Sequence, residues 1–243
     1  MLNKIFLLSL SLLVLVAGAP VTVSAQETEQ AESWQFGVEL YFWGASIGGK
    51  SASGSDIDIE LDDILDSLEF AFMGAVGARK GKWSLAADVI YLDAESSAAV
   101  APGLTANVEL TNWIITPVVG YNLVDTGKSR LDILGGARYL YMKADLRVDA
   151  LGVRAEDSGS NWDAVIGARG AVDLTQKWHL FGYLDIGTGE SDLTWQAMAG
   201  IGYKFKWFHL NAAYRYLKWD FDNNAALDDL DISGPAVGIR FVF

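Results

Sequence analysis

Residues 192–205 read DLTWQAMAGIGYKF, and they alternate without a break. Leu193, Trp195, Ala197, Ala199, Ile201, Tyr203 and Phe205 share one face. Thr194, Gln196, Met198, Gly200, Gly202 and Lys204 share the other. Period 2 places successive side chains on opposite faces of a strand. Here the pattern runs for longer than an ordinary globular strand. The neighbouring stretch 208–216, FHLNAAYRY, repeats it, with Phe208, Leu210, Ala212, Tyr214 and Tyr216 opposite His209, Asn211, Ala213 and Arg215. Near the start of the alternating region, residues 34–42, WQFGVELYF, set Trp34, Phe36, Val38, Leu40 and Phe42 against Gln35, Gly37, Glu39 and Tyr41.

Working outward, ten such segments appear: 34–46, 68–79, 83–95, 106–122, 130–146, 160–174, 178–190, 192–205, 207–220 and 232–243. Most meet the roughly 9–11 residues that a tilted strand needs to cross a bilayer. The segment 106–122 is the weakest, because Trp113, Ile114 and Ile115 interrupt its alternation and Pro117 lacks a ladder donor. Counts of eight or twelve strands stay open. The connectors 80–82, 124–129, 175–177 and 206 are short, whereas 47–67, 94–105, 147–159 and 221–231 are long. Short turns at one end and long loops at the other predict an all-β, transmembrane, antiparallel up-and-down barrel of about ten strands. Trp34, Trp83, Trp178, Phe205, Trp207 and Phe243 fall beside short turns. Trp43, Tyr91, Tyr141, Trp162, Trp195 and Trp219 fall toward the long loops. Two such groups predict aromatic girdles at two membrane interfaces.

Composition narrows the function classes. The chain has 243 residues, 51% of them hydrophobic, with 25 Gly and only 4 Pro. It has no Cys, which excludes disulfides, cysteine nucleophiles and thiolate metal sites. A net charge of −13 leaves no basic face for nucleic acid. Residues 1–25 have the form of a signal peptide: Lys4, an apolar run over 5–16 and the small-residue site Val23-Ser24-Ala25. A short segment, 26–33, leads into the barrel at 34–243.

The chain closes on residues 238–243, GIRFVF. Gly238, Phe241 and Phe243 resemble the C-terminal assembly signal of bacterial outer-membrane barrels: Gly, two residues, aromatic, one residue, terminal aromatic. Ala236 stands where that pattern usually has a polar residue. The region 34–243 resembles the small outer-membrane barrel proteins of Gram-negative bacteria, in the broad OmpA/OmpW-like group, and within it the run DILDSLEFAFMGAVGARKGKWSLAADVIYLD resembles an uncharacterised branch. The resemblance implies residence in the cell outer membrane, with periplasmic termini, extracellular acidic loops, and lipid, lipopolysaccharide and the barrel assembly machinery as partners. It brings no reaction and no cofactor.

Three sets of residues are candidates for chemistry. The only histidines, His179 and His209, each follow a Trp or Phe beside a short turn. That is the end opposite to where resemblance to an omptin-like protease or a lipid A deacylase would require a His. By alternation Glu39, Asp88, Asp132, Arg138, Asp163, Arg169, Asp185, Arg215 and Arg240 face the lumen, and they carry both signs. The turn at 175–177 predicts Arg169 beside Asp185, and barrel closure predicts Arg240 beside Glu39. Tyr183, Phe181 and Met198 are expected to crowd the same narrow lumen. Residues 56–69, DIDIELDDILDSLE, hold a cluster of carboxylates, with Leu61, Ile64, Leu65 and Leu68 at helical spacing. A short helix is expected at the barrel mouth or on the lipid surface. Asp58, Asp62, Asp63 and Asp66 are candidates for a weak Ca²⁺ or Mg²⁺ site, although they match no EF-hand spacing. Asp220, Asp222, Asp228, Asp229 and Asp231 repeat the acidic chemistry in the last loop. Taken together, these features predict a non-enzymatic outer-membrane barrel with a structural or surface-interaction role. A narrow channel for small solutes or apolar molecules is the first alternative, and a lipid-modifying enzyme the second.

Overall fold

A strand in lipid must pair both of its edges, so a membrane sheet has to close on itself. The computed structural model of the chain meets that requirement, and it describes residues 33–101, 104–148, 151–221 and 227–243. The expected signal peptide over 1–25 and nearly all of 26–33 lie outside the described residues. The elements are β1 (Gln35–Trp43), β2 (Ser46–Ser51), β3 (Asp56–Ile59), α1 (Leu61–Ser67), β4 (Leu68–Lys80), β5 (Trp83–Ala101), β6 (Leu104–Asp125), β7 (Ser129–Val148), β8 (Val153–Asp173), β9 (Trp178–Gly189), β10 (Leu193–Lys204), β11 (His209–Asp220) and β12 (Leu227–Val242). β4 to β12 pair antiparallel in chain order, and β1 joins β4 on one side and β12 on the other. Ten strands therefore form the closed barrel, as the alternation predicts.

β2 and β3 form an added hairpin on the edge of β12. β1 and β2 are one strand broken at Gly44-Ala45, held along β12 by a Gly44 N–H bond to the Pro235 carbonyl at 2.9 Å. A Cβ on Gly234 would overlap the Gly44 carbonyl, so glycine is needed where these backbones touch. On the other side, pairing of β1 with β4 ends at Leu40↔Gly74. Above it, the Trp43 N–H donates to Met73 Sδ at 3.2 Å.

One rim carries the start of β1, the end of β12 and the turns at 81–82, 126–128, 174–177 and 205–208; we call it the terminal rim. The opposite, hairpin rim departs from the sequence reading. The expected loops 94–105 and 147–159 are mostly strand, because β5 with β6 and β7 with β8 keep pairing past the length that lipid requires. β5 to β8 run 19 to 22 residues each and stand above the rest of the wall as a four-stranded sheet. The interruption expected around Trp113-Ile114-Ile115 is absent: Ile114 is buried inside and Trp113 points out, so β6 keeps period 2. α1 forms where the leucine spacing places it. Leu61 sits so close to Gly44 that a Cβ there would meet its Cδ2 at 3.1 Å.

The outer face is apolar, and its aromatics pair between neighbouring strands. Trp83 meets Tyr121 at 5.0 Å and Trp178 meets Tyr203 at 4.9 Å toward the terminal rim. Tyr91 meets Trp113 at 4.5 Å and Tyr139 meets Trp162 at 4.6 Å toward the other. Such cross-strand pairs contribute roughly 0.2–1 kcal/mol each. Trp43 and Trp219 are corrections: both were expected in the girdle and both are buried inside the barrel. Their parity explains it. Trp43 follows inward Tyr41 by two residues, and Trp219 follows inward Arg215 by four.

Candidate functional site in the barrel interior

The inward positions change character along the barrel axis, and this divides the lumen into three layers. Nearest the hairpin rim, Trp43, Met73, Ile114, Leu140, Leu217 and Trp219 belong to one buried apolar cluster. Four strands make the change within one alternation step. Tyr41 gives way to Trp43, Asp88 to Ile90, Arg138 to Leu140 and Arg215 to Leu217. On these strands the apolar cluster replaces the mixture of charges expected along the whole lumen, whereas β8 keeps buried Asn161 and Asp163 at that end.

The middle layer is a belt built on two buried arginines. Arg138 bonds Asp185 and donates to Thr194 Oγ1 at 2.8 Å, while the Tyr183 hydroxyl donates to Asp185 at 2.6 Å. Arg215 donates to Asp88 at 2.7 Å, to the Tyr41 hydroxyl at 3.0 Å and to Gln196 at 2.7 Å. Each guanidinium also lies over an indole of the apolar cluster: Arg215 over Trp43 at 4.6 Å and Arg138 over Trp219 at 5.8 Å. Cation–π contact lets a charge border an apolar layer at reduced cost.

The third layer opens to the terminal rim as a cavity of about 600 Å³. On one wall Asp132 is 1% exposed and receives Arg79, Arg169 Nε at 3.0 Å and Asn122 at 2.8 Å. Arg169 also donates to Ser84 at 2.7 Å. On the other wall Asn211 donates to Glu39 at 2.7 Å and Lys204 bonds Asp173 at 2.6 Å. The two histidine rings lie 5.7 Å apart there.

The expected lumen residues all face inward, but one expected pair is wrong. Arg169 does not meet Asp185. The β8–β9 register sets Arg169 opposite Tyr183, while β7 sets it opposite Asp132, which it bonds. Asp185 is taken by Arg138 instead. Arg240 does stand opposite Glu39, at 3.9 Å. Asp163 is held by Asn161 at 2.6 Å and the Ser191 N–H at 2.9 Å. Tyr183, Phe181 and Met198 line the cavity, as expected. Arg79, Ser84, Asn122 and Gln196 were not singled out from the sequence, although parity from Met73, Asp88, Ile114 or Thr194 places them inside.

The acidic residues at the hairpin rim do not converge. Asp58, Asp62, Asp63 and Asp66 are exposed, and among the described residues no group of three or more His, Asp or Glu side chains is placed to hold a metal ion. Asp222 lies outside the described residues. At the chain end Gly238 faces inward against Tyr41, and Phe241 and Phe243 face out. Phe243 and Phe36 exchange backbone hydrogen bonds at 2.9 and 3.0 Å, fastening the closing strand pair.

No protein-family model matches the chain, and no curated protein matches it. Solved structures do. The outer membrane protease OmpT from Escherichia coli aligns with a TM-score of 0.51 at 10% identity, covering 86% of this chain and 96% of that one. The translocator domain of the autotransporter NalP from Neisseria meningitidis aligns at 0.48 and 14% identity, covering 86% and 88%. Ail, the attachment invasion locus protein of Yersinia pestis, aligns at 0.39 and 14%, covering 87% and 99%. At these identities the likeness is one of fold: the chain is a closed ten-strand antiparallel β-barrel of the outer-membrane kind.

Proposed function

We propose that the protein is a non-conducting outer-membrane barrel that holds a β-sheet at the cell surface, with its terminal rim in the periplasm and its acidic hairpin rim outside. The observation that carries this reading is the apolar cluster across the lumen. A pore for ions or polar solutes needs a continuous polar path, and here buried indole, leucine and isoleucine side chains stand in its way. The raised sheet of β5 to β8 supports the surface role. Its strands exceed the membrane requirement by about ten residues each. Arg147 bonds Glu109, Arg154 bonds Asp145, and Lys143 bonds Glu156 at 3.3 Å, which cross-links neighbouring strands.

Planar-bilayer recording of the purified protein tests the reading. The expected result is a flat baseline without steady single-channel steps. Large, steady steps would overturn it in favour of the channel alternative.

The same proposal assigns Gly238, Phe241 and Phe243 to insertion by the barrel assembly machinery. Deleting Phe243 removes both bonds to Phe36 and the last outward aromatic. Less heat-modifiable, membrane-integrated protein is expected, with induction of envelope stress; an unchanged yield would refute the assignment.

A further inference from the structure

We propose that the cavity at the terminal rim is a binding site for a small oxyanion, a carboxylate or a phosphate, held by Arg79 and Arg169. Charge bookkeeping around Asp132 points to it. Two guanidiniums share this one carboxylate, which is buried and also accepts from Asn122. One positive charge is left over on that wall. Both arginines line the cavity, and their side chains keep 16% and 28% exposure, so each has a solvent-facing edge after bonding Asp132. Asp132 and Ser84 fix the direction in which Arg169 presents its fork. A guanidinium fork matches the paired oxygens of a carboxylate or phosphate.

The rest of the lining carries the same bias. Seven Lys and Arg side chains line the cavity against five carboxylates. That is a local excess of two positive charges inside a chain whose net charge is −13. The acidic residues that give the protein its sign sit mainly at the hairpin rim, beyond the apolar layer. His179 adds a further polar group: it lines the same cavity, is 8% exposed, and its Nδ1 is buried without a hydrogen-bond partner among the described residues. A partly enclosed site with a net excess of one sign of charge raises the local concentration of the opposite ion. The belt of Arg138 and Arg215 closes the deep end, so the ligand enters and leaves by the terminal rim. The site stands independently of the surface role proposed above.

Calorimetry on the folded full-length barrel in a non-ionic detergent tests the proposal, with inorganic phosphate in one arm and succinate in the other. Saturable binding of at least one probe is expected, and the stronger arm identifies the ligand class. Arg169→Gln is expected to weaken it at least ten-fold. Arg169→Lys, which keeps the charge beside Asp132 but removes the fork, is also expected to weaken it. Arg154→Gln, at the opposite rim, is expected to bind as the wild type does. Heat-modifiable migration in gels checks that each variant is folded. Absence of saturable heat in both arms would overturn the proposal, and so would folded Arg169→Lys and Arg79→Lys variants that bind with unchanged affinity.

Discussion

Arg138→Ala is expected to lower the unfolding free energy by about 3–5 kcal/mol, the usual result of removing one partner from a buried ion pair. The side chain of Arg138 is fully buried and that of Asp185 is 1% exposed. Without the guanidinium, Asp185 keeps only the Tyr183 hydroxyl bond, and Thr194 loses a donor. The carboxylate would be left charged where water is scarce. Adding Asp185→Ala to Arg138→Ala is therefore expected to recover a large part of the loss. Urea unfolding in lipid vesicles, followed by tryptophan fluorescence, measures both variants. Arg130→Ala provides the contrast. Its pair with Asp125 is exposed on both sides, and such pairs are worth about 0–1 kcal/mol. A loss at Arg138 no larger than at Arg130 would mean that the belt is well hydrated and contributes little.

The second large effect is expected at Trp219→Ala. This indole has no exposed surface and lies between the apolar cluster and Arg138. Truncating a buried Trp typically costs about 3–5 kcal/mol, part of it from the cavity left behind. The same substitution at Trp207, which is 77% exposed on the outer wall, is expected to cost far less. Equal losses at the two positions would show that the inner cluster is loosely packed. The comparison also separates two kinds of Trp that look alike in the sequence, since both lie near the end of an alternating segment.

That pair shows how much was legible. Period 2 sufficed for the barrel, the ten strands and the inward set from Glu39 to Arg240, because each strand has one face in lipid. The interior partners were less legible. The side chain of Arg169 can reach Asp132 on one neighbour or turn toward Asp185 on the other, and the turn at 175–177 fixes only the second of these registers. The height of β5 to β8 was missed for a different reason. Above the membrane both faces of a strand meet water, so residues such as Glu95, Asn107 and Glu156 no longer mark one face by polarity. The apolar layer was readable in principle: the inward position changes from Asp88 to Ile90 and from Arg215 to Leu217 at the same height. Detecting it required aligning the strands side by side.

The pairing of β12 has a consequence for the order in which the molecule can be made. β12 touches β11, β1 and β2, and its Gly234 carbonyl accepts the Trp43 indole N–H across 191 residues of sequence. Contacts of such separation form late, because the intervening chain must be gathered first. Until the last strand is in place, β1 has no partner on one of its two edges. An unpaired strand edge invites pairing with other chains. The unfinished sheet thus keeps an adhesive edge at its first strand until the last one pairs with it. Keeping the first strand apart from other chains until closure is therefore a demand set by topology, whatever the finished barrel does.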